Sequence, residues 1–148
     1  MLYARGNMTI YHVFYDSNKD IAWSSTAGVT DAIKTEQKSA HNYDYIQIDH
    51  AETPVGEKYY INDAEDALVE KSTFDPTFST TTPVVDGVIN VTGVPSGTEV
   101  FLDGVSAGTM SDTTLTLTAQ QAGPFTIVLK KERYYDYTQA IKVKRYAE

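Results

Sequence analysis

The residues of this chain best suited to bind a metal or move a proton are its three histidines, His12, His41 and His50, and a few clustered carboxylates. His41, Asp49 and His50 could be drawn as a metal site. Zinc sites, however, are built on close-spaced ligand pairs, and no such pair on a helix supports this one. Asp16, Asn18 and Asp20 set oxygens at alternate positions, like the start of a calcium loop. Such a loop next needs glycine and ends on a bidentate glutamate. Ile21 and Ala27 stand at those places, so the segment reads as a hairpin turn. Glu65-Asp66 and Asp49 with Glu52 read as acidic loop surface. Nucleophile elbows, phosphate loops and dinucleotide glycine patterns are absent. With no cysteine there is no thiol nucleophile, thiolate metal site or disulfide. The expectation is a non-enzymatic chain with no catalytic residue, cofactor or metal.

A different chemistry is suggested by the eleven tyrosines, which cluster at Tyr43/Tyr45, Tyr59/Tyr60 and Tyr134/Tyr135/Tyr137. Tyrosine offers a large apolar face and one hydrogen bond at low entropic cost, which suits interfaces and sugar stacking. In Tyr134-Tyr135-Asp136-Tyr137 successive side chains point in different directions, so at least one should be exposed or covered by a partner. Nearby lies the basic end of the chain. Residues 125–148 carry six basic and three acidic side chains, against six and seventeen over 1–124. Tyr134, Tyr135, Tyr137, Lys142, Lys144 and Arg145 are therefore the candidate interface, the rings supplying burial and the charges orientation. The competing reading makes these lysines edge-strand guards against aggregation. A net charge of −8 argues against nucleic acid as a partner. No apolar run approaches the ~20 residues that span a bilayer, so no membrane is expected.

These side chains need elements to place them. Thr9–Tyr15 is β-branched and aromatic on both faces, which suits a buried strand, and Ile21–Ser25 returns beside it with Trp23. Thr30–Asn42 reads as a short superficial helix, capped by Thr30, with Ala32, Ile33, Gln37 and Ala40 as a thin apolar face. Tyr43–Ile48 alternates as a strand, Tyr59–Ile61 is another, and Ala64–Glu70 is either a helical turn or extended. This gives a small N-terminal α+β unit with an antiparallel sheet over 1–73, its first seven residues an arm or an upstream extension. Residues 74–86, with prolines and threonines but no periodicity, read as an extended connector, whose aromatics Phe74 and Phe78 should pack along one of the units.

From 87 to 148 the signals are all β. Strands are expected near Val88–Thr92, Glu99–Leu102, Thr114–Thr118, Phe125–Lys130 and Thr138–Lys144, with turns at 95–97, 103–108, 119–124 and 132–136. Pro95, Gly97, Asp103, Gly104 and Gly108 are the turn residues, and Asp103-Gly104 between apolar residues is a strong hairpin signal. The fold class is β-rich α+β, the second unit a small antiparallel sandwich.

The run VTGVPSGTEVFLDGVSAG over Val91–Gly108, followed by Thr-Leu-Thr-Leu and Gly-Pro-Phe-Thr-Ile-Val-Leu, resembles the PEGA-like, immunoglobulin-like β-sandwich modules. The likeness covers Val84–Val143. Arg133-Tyr134-Tyr135 stands where such modules usually have an apolar-Gly-Tyr triplet. A similar arrangement occurs in small virion proteins of tailed bacteriophages. The resemblance implies a structural virion protein, made in the host bacterial cytoplasm and docked on other virion proteins and copies of itself. It would sit in the tail (fibre, adaptor or baseplate), or alternatively decorate the capsid. The rival is a carbohydrate-binding adhesive module that meets host-surface glycan through Trp23 and exposed tyrosines.

Overall fold

The computed structural model describes residues 8–146, so the reading of residues 1–7 as an arm lies outside the described residues. The chain divides into two compact units, the first ending at Lys71 and the second beginning at Ser72. It is β-rich, with one helix and several antiparallel sheets among the described residues.

In the first unit β1 (Thr9–Tyr15) lies between β2 (Ile21–Ser25) and β3 (Asp44–His50) in an antiparallel sheet. The β1–β2 turn is held by Asp16, whose Oδ1 accepts from the Asn18 and Asp20 N–H groups at 2.9 and 3.0 Å. β1 is apolar on both faces because both are covered. Tyr11, Val13 and Tyr15 pack with Ile48 and Ile61 on one side. On the other, the fully buried Phe14 stacks on Trp23 at 4.3 Å and tilts against Tyr45 at 5.4 Å.

Helix α1 (Asp31–His41) lies over that second face. Thr30 Oγ1 accepts from the Ile33 N–H, and Asn42 closes the helix in the left-handed region at φ 58°. None of its residues is buried. Its underside corrects the expected apolar stripe: Ala32 and Ala40 are exposed, while Ile33, Lys34 and Gln37 are half-buried. Lys34 Nζ sits 4.2 Å from the Tyr45 ring centre, and Gln37 Oε1 accepts from the Trp23 indole N–H at 2.9 Å. An aromatic floor is met by a cation and an amide, which is why the helix needs so few hydrocarbons. β4 (Tyr59–Ile61) and β5 (Leu68–Glu70) form an antiparallel hairpin, so the 64–70 stretch ends extended rather than helical.

The second unit holds two antiparallel sheets that share one core. β7 (Val88–Thr92) pairs with β10 (Leu115–Thr118) and with the two-residue β6 (Thr77–Phe78). The other sheet runs β12 (Tyr137–Val143), β11 (Gly123–Lys130), β8 (Glu99–Leu102), β9 (Val105–Thr109). Ile89 and Val91 from the first meet Val100, Ile127, Leu129, Ile141 and Val143 from the second.

The expected five strands are present, and three expectations change. Only Asp103-Gly104 of the expected 103–108 turn is a turn, and Val105–Thr109, Gly108 included, is the strand β9. All β9 side chains are exposed, so it carries no apolar alternation to reveal it. Gly123 opens β11 instead of ending a turn. Residues 74–86 belong to the second unit, on which Phe74 and Phe78 pack. Phe74 is buried in the core, Thr77–Phe78 pairs with β7, and Lys142 and Lys144 N–H groups donate to Thr81 and Pro83 carbonyls at 3.0 and 2.8 Å. The segment satisfies the outer edge of β12, which would otherwise leave its backbone groups unpaired.

Asp103 and Gly104 both have positive φ, 49° and 81°, the geometry of the tight hairpin turn that matches strand twist. A Cβ on Gly104 would meet nothing within 4 Å, so the demand is conformational alone. Gly104→Val should cost about 1–3 kcal/mol and lower the melting temperature of the second unit by roughly 5–15 °C. Thermal circular dichroism reads this directly. An unchanged melting temperature would show that the turn tolerates a β-branched residue.

Candidate interaction surface

The first unit separates the groups that the sequence allowed to be drawn together. His12 Nδ1 lies 2.5 Å from the Tyr45 hydroxyl, and His41 stacks on Tyr43 at 5.1 Å. His50 Nδ1 sits 2.9 Å from the Glu52 backbone oxygen. Among the described residues no group of three or more His, Asp or Glu side chains could hold a metal.

The densest titratable cluster joins His50, Glu52, Lys58 and Tyr59. Glu52 accepts from Lys58 Nζ at 2.6 Å and from the Tyr59 hydroxyl, while His50 meets the Tyr59 ring edge-on at 4.9 Å. The Lys58 hydrogen bond, then that of Tyr59, holds the Glu52 carboxyl below the usual range. The same bonds to Glu52 push the Lys58 ammonium and the Tyr59 phenol up. Each group is thus locked further into its resting charge state, the opposite of what a general acid or base needs. The cluster is a clasp on the loop between β3 and β4. Tyr15 is pushed up to about 12, chiefly by burial and then by the charges of Glu65 and Asp44. Trp23 has its N–H bonded to Gln37 and its ring stacked on Phe14, so its polar handle and a ring face are already engaged.

In the second unit strand alternation divides the candidate interface. Tyr137 points inward with Ile141 and Val143, stacking on Phe78 at 6.2 Å. Tyr134 also packs against the core, with Phe74 at 4.9 Å. Lys142 is exposed on the other face of β12, Arg145 is exposed beyond its end, and Lys144 is half-buried where its backbone bonds Pro83 and Val85. Tyr135 is half-buried, its N–H donating to the Ser72 carbonyl at 2.9 Å. The turn before it carries Arg133 at φ 68°, so it enters the left-handed region without a glycine. The six residues therefore do not form one patch. Two of the tyrosines pack half-buried against the core, while Lys142 and Arg145 are exposed.

What the outside of the four-stranded sheet does present is a cross-strand row, Thr138–Val128–Phe101–Ser106, set by the register. Residues paired across strands share a face, so this row stands opposite the core residues Ile127, Leu129 and Val100. Phe101 and Val128 are half-buried and lie between smaller, uncharged neighbours. Lys130 borders the row, its Nζ 5.2 Å from the Phe101 ring centre and 3.6 Å from Asp136. Glu99, opposite Lys130, accepts from Ser106 Oγ at 2.9 Å. An aromatic at the middle of a sheet face with charge only at its rim has the composition of a docking surface. Its signal was in the parity of Glu99–Leu102, where Phe101 alternates with the core-facing Val100 and Leu102.

Residues 86–148 match the PEGA domain, a β-rich family, from just before β7 through β12. No curated protein and no solved structure matches the chain.

Two outcomes follow from this geometry. Tyr137→Ser should destabilise the second unit by roughly 2–3 kcal/mol, because a core contact is lost. Tyr135→Ser should cost under about 1 kcal/mol. Denaturant melts of the two variants rank them, and equal melts would contradict the inward placement of Tyr137. A carboxyl held low adds stability that is present above its ordinary value of 4.5 and is lost as pH falls through the lowered value. Melting temperature of the parent should thus fall below pH 4.5 more steeply than that of Glu52→Gln. Parallel pH profiles would remove the clasp.

Proposed function

We propose that this chain is a non-enzymatic structural component of a tailed-phage virion, associated with the tail, that works through protein–protein contacts with other virion proteins and copies of itself. The observation that carries the reading is the outer row centred on Phe101 and Val128, an uncharged sheet face bordered by Lys130 and Glu99. A face of this kind suits burial against another protein. The PEGA match over 86–148 supports a β-rich module of the kind the sequence resembles. The virion setting comes from that resemblance, and the immunoglobulin-like sandwich is the finer fold proposed for the two-sheet unit.

The Glu52–Lys58–Tyr59 cluster supports structure over catalysis, since the Glu52 charge is met by Lys58 and hydrogen-bonded by Tyr59. The adhesive reading depends most on Trp23, whose ring and N–H are engaged within the first unit. The test is incorporation into particles. Phe101→Lys places a charge in the middle of the docking face without touching the core, so it should melt within a few degrees of the parent. Its copy number in purified particles, read by mass spectrometry, should fall at least about tenfold. A normally folded variant incorporated at parental levels removes this face from the contact.

A further inference from the structure

The second unit is closed along one side and open along the other. The edge of β12 is bonded to residues 81–85, but among the described residues β9 and β10 each end their sheet with a neighbour on one side only. Two hollows of about 260 and 600 Å³ run along this open side and meet at Thr116. Val100, Leu102, Leu115, Leu117 and Phe125 line them and also pack on or within the core, which gives a mostly polar trough an apolar part.

The backbone of β10 is turned toward this trough. The Ala119 N–H donates to the Gly87 carbonyl at 2.9 Å. In the observed register the bonded pairs then recur at Leu117/Ile89 and Leu115/Val91. Thr116 and Thr118 accordingly direct their N–H and C=O groups away from β7, into the open side. Natural edge strands are guarded by charge or proline. Leu115–Thr118 and Val105–Thr109 contain neither. The charged residues lining the trough are Asp103 and Asp112, both acidic and in different hollows. Each is fixed by a backbone N–H, Asp103 by Thr126 at 2.8 Å and Asp112 by Thr114 at 3.0 Å.

We infer that this trough receives an extended strand of a partner protein, uncharged over about five residues with a lysine or arginine at each end, added to β10 through backbone hydrogen bonds. Thr116 and Thr118 would supply those bonds, the apolar part would take alternate side chains, and the two aspartates would take the flanking cations. A second folded copy is a poor match. Its basic strand β12 already has its edge bonded to Thr81, Pro83 and Val85. The inference rests on reading the chain as a protein-docking module and names the kind of partner.

The experiment titrates the isotopically labelled full chain with the capped peptide Lys-Thr-Val-Thr-Val-Thr-Lys, and with the same peptide bearing glutamate at both ends. Amide shifts centred on Thr116 and Thr118 are expected, with the lysine peptide binding at least about tenfold tighter at low salt. Proline is tolerated on an edge whose N–H faces outward. Thr116→Pro should therefore melt near the parent and bind at least about tenfold more weakly. Asp103→Asn with Asp112→Asn keeps the acceptor oxygens and should erase the lysine-over-glutamate preference. Absence of shifts on β10, or equal binding by Thr116→Pro, overturns the inference. A concentration-dependent dimer of the parent that Thr116→Pro dissociates assigns the edge to a second copy and overturns it also. Failed peptide binding with intact particle incorporation discards the trough alone, whereas failed incorporation with intact peptide binding discards the virion reading alone.

Discussion

A sheet of three or four strands ends in two rows of backbone N–H and C=O groups, and the disposition of those rows governs the second unit. Half of the problem is solved inside the chain. Residues 72–85 pair with β7 at Thr77–Phe78 and otherwise run beside the 133–145 segment, from the Ser72–Tyr134 bridge to the Val84–Lys144 bridge. The same stretch places Phe74 in the core. Among the described residues the other edge is left to β9 and β10, short strands without a guarding charge, with a hollow between them. Polar backbone beside a partly apolar hollow is what distinguishes this side from an ordinary solvated rim.

Alternation decides what each tyrosine does. A strand has a period of two, so neighbours such as Tyr137 and Thr138 belong to different faces. The clustering of tyrosines before the basic strand suggested one composite patch. In the fold Tyr134 and Tyr137 pack half-buried against the core, and Lys142 shares the outer face with Thr138 and Ala140. The aromatic that does reach the outer face, Phe101, stands alone in the sequence between two inward-facing residues. Composition marked the tyrosines, and register places a phenylalanine on the outer face.

The first unit applies the same economy of covering with different chemistry. One face of its sheet packs Tyr11 and Tyr15 with aliphatic residues, and the other carries the rings of Phe14, Trp23 and Tyr45. The aromatic face carries an indole N–H that must find an acceptor, and π-surface that attracts a cation. Gln37 and Lys34 answer both, so a helix with no buried residue can still be held in place. Some charged side chains of this unit are paired locally, as Glu52 is by Lys58 and Tyr59, which fixes the loop between β3 and β4.

The sequence by itself determined the local features. Thr30 and Asn42 bound the helix, Asp103-Gly104 demands a left-handed turn, and the alternation in Val88–Thr92 and Leu115–Thr118 marks strands, because these signals act over a few residues. The likeness of the second half to PEGA modules was legible for the same reason, as it rests on turn residues at set offsets. Only the tertiary structure decided the rest. β9 and residues 74–86 have no periodicity of their own, and become ordered because a neighbouring edge needs hydrogen-bond partners. The underside of α1 is set by the aromatic rings it meets. Whether Tyr137 faces core or solvent depends on strand register, a relation between residues far apart in the chain that no local pattern encodes.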